Sequence, residues 1–267
     1  MRRKTRAAAA LGLVAACAVA GLGSLLLGGG DRDGDGQAAA RRAVLPAPPR
    51  LALDVPTPKG LGNARHVAVW TSVLRPATAR AHPQSSARRR ARLSRRTPEG
   101  TANVVLVTGR ESDARGRVWV RVRLPVLPNG TTGWVPRRTL GAYQAVRTHL
   151  VVDRRRLTAT LLRDGRRIFR AGVGIGRARW PTPRGRFYIR NRLTRYRSAT
   201  YGPLAFGTSA RSATLTDWPA GGFVGIHGTD QPGLLPGRVS HGCIRMRNAD
   251  ILRLDRLVTV GTPVTIR

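Results

Sequence analysis

Cys243 lies close in sequence to two of the five histidines, in the stretch Ile226-His227-Gly228-Thr229-Asp230 … Val239-Ser240-His241-Gly242-Cys243-Ile244-Arg245-Met246. A cysteine attacks as its thiolate, so a catalytic one needs a nearby base or a positive field. Histidine supplies the base, taking the thiol proton and returning it to a leaving amine. Gly228 and Gly242 flank these groups, as tight turns and close backbone approach to a substrate require. Backbone N–H groups around Gly242 and Cys243 are candidates for an oxyanion hole. The chemistry this set suits is attack by a thiolate, with a histidine moving the proton to a leaving amine.

Three other readings compete on the residues alone. A lone cysteine is most often a small buried residue with no chemistry. His227, Asp230, His241 and Cys243 are four zinc-type donors, but their spacing matches no familiar zinc pattern and no second cysteine lies near them. Either histidine can be a packing residue.

The elements around the stretch are short and β-like. Phe223-Val224-Gly225-Ile226 reads as a strand running straight into His227. Upstream, His149 to Val152 and Leu157 to Leu162 read as strands, and Asp164-Gly165 opens a hairpin into Ile168 to Gly176. Thr182 to Ile189 continues the β pattern, and Thr262 to Ile266 is a closing strand. Only Asn248 to Leu257 is predicted to be helical, with Asn248 as its N-cap and Ile251, Leu252, Leu254 and Leu257 at helical spacing.

A second β region precedes this one. Val67 and Val69 alternate before Trp70, Val104 to Val107 is a run, and Val118 to Leu124 alternates for its whole length. Pro128-Asn129-Gly130 supplies a turn before Gly133-Trp134-Val135. The arginine-rich stretch from Arg88 to Arg96 reads as a solvated hairpin tip. Nothing in this region is expected to carry catalysis.

The N-terminus has the grammar of export. Arg2, Arg3, Lys4 and Arg6 precede Ala7 to Gly30, which carries no charge. About 20 apolar residues cross a bilayer, and the basic end would stay cytoplasmic. An uncleaved anchor over 1–30 is the expectation, with a cleaved signal peptide as the alternative. Val14-Ala15-Ala16-Cys17 is a weaker lipobox candidate. Residues 31–65, rich in Ala, Pro and Gly, read as a tether. Everything beyond residue 31 is therefore expected outside the cytoplasm, in the cell envelope.

The 267 residues carry a formal net charge of +35. That points first to polyanions, and outside the cytoplasm these are lipid head groups and anionic wall polymer, with no specific nucleic acid. All the basic residues except Lys4 and Lys59 are arginines. Part of the charge therefore reads as codon bias toward Arg, Ala, Gly and Pro. With Cys17 and Cys243 its sole cysteines, the chain is not a disulfide scaffold.

The string Ser240-His241-Gly242-Cys243-Ile244-Arg245-Met246, with His227-Gly228-Thr229 upstream, resembles the catalytic domain of L,D-transpeptidases of the YkuD type. Gly172-Val173-Gly174-Ile175-Gly176, Pro181-Thr182-Pro183-Arg184-Gly185 and Gly261-Thr262-Pro263-Val264-Thr265-Ile266 match as well, so the resemblance covers 147–267. It implies a mainly β, sandwich or barrel catalytic domain with one short helix. Cys243 is then the nucleophile and His227 its base, oriented through the other ring nitrogen by a carbonyl or polar neighbour. His241 shapes the site, Ser240 supports it by hydrogen bonding, and Gly242 with Cys243 supplies oxyanion donors. Arg245 matches a branch of the family with Arg at this position, and is expected to steady a substrate carboxylate or to pack. Another branch has Ser after the upstream His, where this chain has Gly228. The implied reaction takes the acyl group of a peptidoglycan stem tetrapeptide, releases D-Ala, and passes the acyl group to an amine of a neighbouring stem in a 3→3 cross-link. Water as acceptor would make an L,D-carboxypeptidase, and a non-catalytic wall-binding protein is a further rival. No metal or organic cofactor is implied, and carbapenem-type β-lactams are expected to acylate Cys243. Residues 66–142 resemble, less specifically, a bacterial SH3-like barrel.

Overall fold

The computed structural model describes residues 66–194, 198–215 and 222–267. The expected anchor or signal segment (1–30), with its Cys17, and the tether (31–65) lie outside the described residues.

The first β region forms a seven-stranded sheet from β1 (Ala68–Val73), β2 (Ala77–Arg80), β3 (Arg89–Leu93), β4 (Val104–Ser112), β5 (Val118–Arg123), β6 (Thr132–Pro136) and β7 (Leu140–Val146), in the order β3-β2-β6-β5-β4-β1-β7. Period-two alternation places one face of each strand inward. In β5, Val120 and Val122 are buried while Arg121 between them is exposed. They pack with Val69, Val105, Val107 and Val135 into a core of branched aliphatics.

Two boundaries differ from the sequence reading. The arginine-rich stretch is not a hairpin tip: Arg89–Leu93 is the edge strand β3, paired antiparallel with β2. Leu93 is buried and Ala91 is partly buried, while Arg90 and Arg92 face solvent. Charge on an edge strand deters pairing with another chain, so the arginines and the strand are compatible. The first sheet also runs past 142, because β7 pairs with β1 as far as Val146 opposite Ala68.

The second sheet contains β8 (Thr148–Asp153), β9 (Thr158–Arg163), β10 (Arg166–Gly172), β11 (Gly174–Gly176), β12 (Gly185–Leu193), β13 (Ala205–Arg211), β14 (Phe223–His227), β15 (Gly237–Ser240), β16 (Ile244–Arg245) and β17 (Pro263–Ile266). Their order is β10-β9-β8-β17-β12-β13-β14-β16-β11-β15. β12 serves both halves of this sheet. Its first part, Gly185 to Tyr188, pairs with β17, and its second, Ile189 to Leu193, pairs with β13. Leu150, Leu161 and Phe169 from one half share a single core with Ile189, Phe206 and Ile226 from the other. The fold is mainly β with one α-helix among the described residues, α1 (Asn248–Asp255), which adds Ile251 and Leu254 to that core.

The helix corrects one expectation. Arg247, not Asn248, is the N-cap, and no side chain caps this end. Asn248 instead turns its Oδ1 to the backbone N–H of Thr229, at 2.9 Å.

The two sheets belong to one compact unit. Tyr188, fully buried on β12, donates its hydroxyl hydrogen bond to the Val104 carbonyl of the first sheet at 3.1 Å. Trp70 of β1 lies against Gly261, where a Cβ would come within 2.0 Å of the indole. Gly261 also has φ +85°, so both its conformation and its contact call for glycine.

Candidate active site

Strand register places the pair. β14 and β16 run parallel with Ile226 opposite Ile244 and His227 opposite Arg245. Cys243, one residue before β16, therefore falls beside Gly225. Val224 and Ile226 point into the core, so Phe223, Gly225 and His227 occupy the other face of the strand. Gly225 donates its N–H to Cys243 Sγ at 3.3 Å. A Cβ on Gly225 would sit 3.8 Å from His227 Cδ2 and 3.9 Å from Cys243 Sγ. The imidazole edge and the sulfur thus face the same point, and the missing side chain leaves it open.

His227 is buried, at 2 % exposure. Its Nδ1 lies 2.6 Å from the carbonyl oxygen of Gly228. A carbonyl only accepts, so Nδ1 carries the proton and Nε2 keeps the basic lone pair. Burial pushes the His227 pKa down from 6.5 to about 4, helped by the positive charge of Arg245 and opposed by the Gly228 carbonyl. The Tyr201 ring packs against the imidazole at 4.6 Å between centroids. Gly228 itself has no room for a side chain, since a Cβ would meet Asn248 Oδ1 at 2.3 Å and Pro203 Cδ at 3.0 Å.

Cys243 is a free, partly exposed thiol. Burial raises its pKa, against the lowering effects of the Gly225 N–H and of Arg245. Both shifts favour a thiol beside a neutral imidazole over an ion pair.

The Ser240–Cys243 turn is held from inside and outside. Ser240 Oγ donates to the Cys243 carbonyl at 2.6 Å and accepts from the Gly242 N–H at 3.1 Å. Gly242 has φ +114°, a conformation that disfavours any side chain. Its carbonyl accepts from Thr182 Oγ1 at 2.8 Å, and Thr182 Oγ1 accepts in turn from the Gly176 N–H at 2.8 Å. The glycine-rich strand ending at Gly176 and the Pro-Thr-Pro segment are thereby fastened to the cysteine turn. In this arrangement the Gly242 N–H, expected to await an oxyanion, is already committed to Ser240.

His241 is exposed, with its ring against Trp180 at 4.3 Å. Arg245 stands beside His227 across the strand pair, and its Nη1 reaches Gln231 Oε1 at 3.5 Å. A cavity of about 190 Å³ is lined by His227, Ser240, His241, Cys243 and Arg245, together with Tyr201 and Phe223. Of the proposed catalytic, supporting and substrate-binding residues, only Gly228 and Gly242 do not line it. Asp230 does not line it, and no cluster of metal-ligating side chains occurs among the described residues.

Sequence reasoning missed Gly225, Thr182, Tyr201 and Phe223. Gly225 carried a readable signal, a glycine two residues before a candidate catalytic histidine on the same strand face. Phe223 lies on the same strand face, while Thr182 and Tyr201 reach the site from other segments.

Residues 147–266 match the family model for the L,D-transpeptidase catalytic domain, YkuD. Two bacterial proteins bearing the name YkuD are similar. That of Bacillus subtilis (strain 168) is 36% identical over 118 residues, 44% of this chain and 65% of its own length. That of Bacillus licheniformis is 38% identical over 94 residues, 35% of this chain and 50% of its own. The chain thus spans less than two thirds of each. The solved catalytic domain of an Enterococcus faecium L,D-transpeptidase is 27% identical, covering 45% of this chain and 96% of that one with a TM-score of 0.34. Over residues 147–266 the chain is thus similar to L,D-transpeptidase catalytic domains of the YkuD type.

Proposed function

We propose that the chain is a cysteine-dependent L,D-transpeptidase acting on peptidoglycan stem tetrapeptides in the cell envelope. The observation that carries this is the Cys243–His227 pair: a thiol and a neutral imidazole, locked in one tautomer by Gly228, facing a shared open point. His227 Nε2 takes the thiol proton as Sγ attacks the carbonyl carbon of the third stem residue. The tetrahedral intermediate collapses, the C–N bond to terminal D-Ala breaks, and the proton on Nε2 passes to the departing amine. A thioester remains on Cys243. An amine from a second stem attacks it, gives its proton to His227 and restores the thiol, forming a 3→3 cross-link.

Because Ser240 holds the Gly242 N–H, the developing oxyanion falls to the N–H of Cys243, with His241 at the mouth to polarise it. Arg245 supplies a cation on the cavity wall for a stem carboxylate. The basic flank and uncharged stretch at the N-terminus support an extracytoplasmic, membrane-anchored setting. The Trp-containing β5 and the turn at Pro128 to Gly130 support reading the first sheet as an SH3-like module. Arginine-rich surfaces favour anionic wall polymer or lipid head groups as neighbours.

The test is incubation of the purified chain with disaccharide-tetrapeptide, followed by mass analysis. Loss of D-Ala with dimer formation is expected, and it should vanish in Cys243→Ala. Loss of D-Ala with only monomeric tripeptide would make the enzyme an L,D-carboxypeptidase. Equal behaviour of wild type and Cys243→Ala would overturn the enzymatic reading.

A further inference from the structure

Phe223 opens β14 and lines the cavity that holds Cys243. Two guanidinium groups lie on its ring, Arg190 with Cζ 3.7 Å from the centroid and Arg211 with Cζ 4.6 Å. These arginines belong to β12 and β13, and Arg211 is the register partner of Phe223. Each is gripped by the first sheet's part of the chain. Glu99 Oε1 accepts from Arg190 Nη2 at 2.5 Å, and Glu99 Oε2 accepts from Asn191 Nδ2 at 3.2 Å. Asn129 closes on the backbone of Arg211 from both sides, donating from Nδ2 to its carbonyl at 2.7 Å and accepting its N–H on Oδ1 at 3.0 Å.

Arg190 is only 2 % exposed. A guanidinium so far from water must keep a charged partner or move, so its place over Phe223 depends on Glu99. A cation over an aromatic face is attracted to it, so the ring in turn follows the arginines. From Phe223 the strand runs two residues to Gly225, which donates to the sulfur, and two more to His227.

We propose that the first β unit is a working part of the Cys243 site rather than a separate module. Glu99 and Asn129 are positioning residues that act through Arg190 and Arg211 on Phe223, and so set the path of β14 past the sulfur. This rests on the reading of Cys243 as the nucleophile, but its test does not need a peptidoglycan substrate.

The test uses the purified full chain as wild type, Glu99→Gln, Asn129→Ala and Arg92→Ala. Arg92 lies on the exposed edge strand far in the sheet order from β4 and β1, and serves as the control. Iodoacetamide alkylation is followed at the Cys243 peptide by mass spectrometry across a pH series, beside thermal unfolding of each variant. Small misplacements of reacting groups cost up to about a hundredfold in rate. Folded Glu99→Gln and Asn129→Ala are expected to alkylate about tenfold more slowly than wild type. Their acid limb is expected to move upward, as a loosened β14 lets water reach His227. Arg92→Ala should match wild type.

Rates within about twofold of wild type and an unmoved acid limb, in folded variants, would overturn the proposal. Asn129→Ala leaves the ion pair intact and decides the matter if Glu99→Gln does not fold. A wild type that alkylates normally yet forms no cross-link or tripeptide would defeat the acyl-transfer reading alone.

Discussion

His227 and Cys243 divide the work between burial and hydrogen bonding. Burial holds the imidazole neutral down to about pH 4 and lifts the thiol above its ordinary range. In the proposed mechanism the base is therefore available across the whole physiological range, and the thiolate would form as the proton moves to Nε2. The acid limb of Cys243 reactivity is accordingly expected near pH 4, well below the 6.5 of an ordinary histidine. Alkylation rates across a pH series measure it, and a midpoint close to 6.5 would mean that His227 is hydrated in solution. Thr182 is the second residue to watch. It is 1 % exposed and joins Gly176 to Gly242 through one hydroxyl. Thr182→Val keeps the shape but strands a buried donor and a buried acceptor, at about 1–3 kcal/mol for each group left unsatisfied. Urea unfolding should register that loss, together with slower acylation of Cys243 as the turn loosens.

At the scale of elements, the site is a product of two neighbouring strands. β14 brings Gly225 and His227 on one face, and the parallel β16 begins directly after Cys243. Gly225→Val would place a branched side chain where the sulfur and the imidazole converge, since even its Cβ reaches contact distance with both. We expect a folded protein whose Cys243 alkylation falls by about tenfold or more, with Gly225→Ala in between, because a single methyl makes only ordinary van der Waals contact. A fully reactive Gly225→Val would show that the pair approaches from another side. The alternation of β1, β4, β5, β8, β9, β12, β14 and β17 and the short helix were legible, because burial on one face imposes a period on local sequence, whereas β2, β7, β13, β15 and β16 were not read. The edge strand Arg89–Leu93 was not, because its arginines outweigh the alternation of Ala91 and Leu93. Nor was the true role of Asn248: its type suits an N-cap, but its actual partner, the Thr229 N–H, lies in the loop after His227.

For the whole molecule, the buried site carries a cost on acidification. The unfolded chain protonates His227 near 6.5, whereas the folded chain does so near 4. Between those values the unfolded state holds more protons, so stability falls as pH falls through the window and levels off below it. The size is about 3 kcal/mol. His149, whose pKa is lowered by burial and by Arg186 and His66, acts in the same direction. Urea titrations at a series of pH values should reveal the slope, and His227→Asn should flatten most of it. An unchanged slope in that variant would assign the effect elsewhere.

The amino-acid sequence by itself singled out Cys243 and His227 as candidate nucleophile and base, through their resemblance to a family motif, together with the turn that carries the cysteine and the β character of both regions. These are properties of residue type and short spacing, which local geometry translates directly. Only the tertiary structure decided which glycine donates to the sulfur, that Ser240 takes the Gly242 N–H, that Thr182 ties the glycine-rich strand to the cysteine turn, and that Glu99 and Asn129 hold the arginines on Phe223. All of these except the Ser240–Gly242 bond join segments well separated in the chain. Such contacts depend on register and on which strands become neighbours, and those follow from how the complete set of apolar faces is buried together.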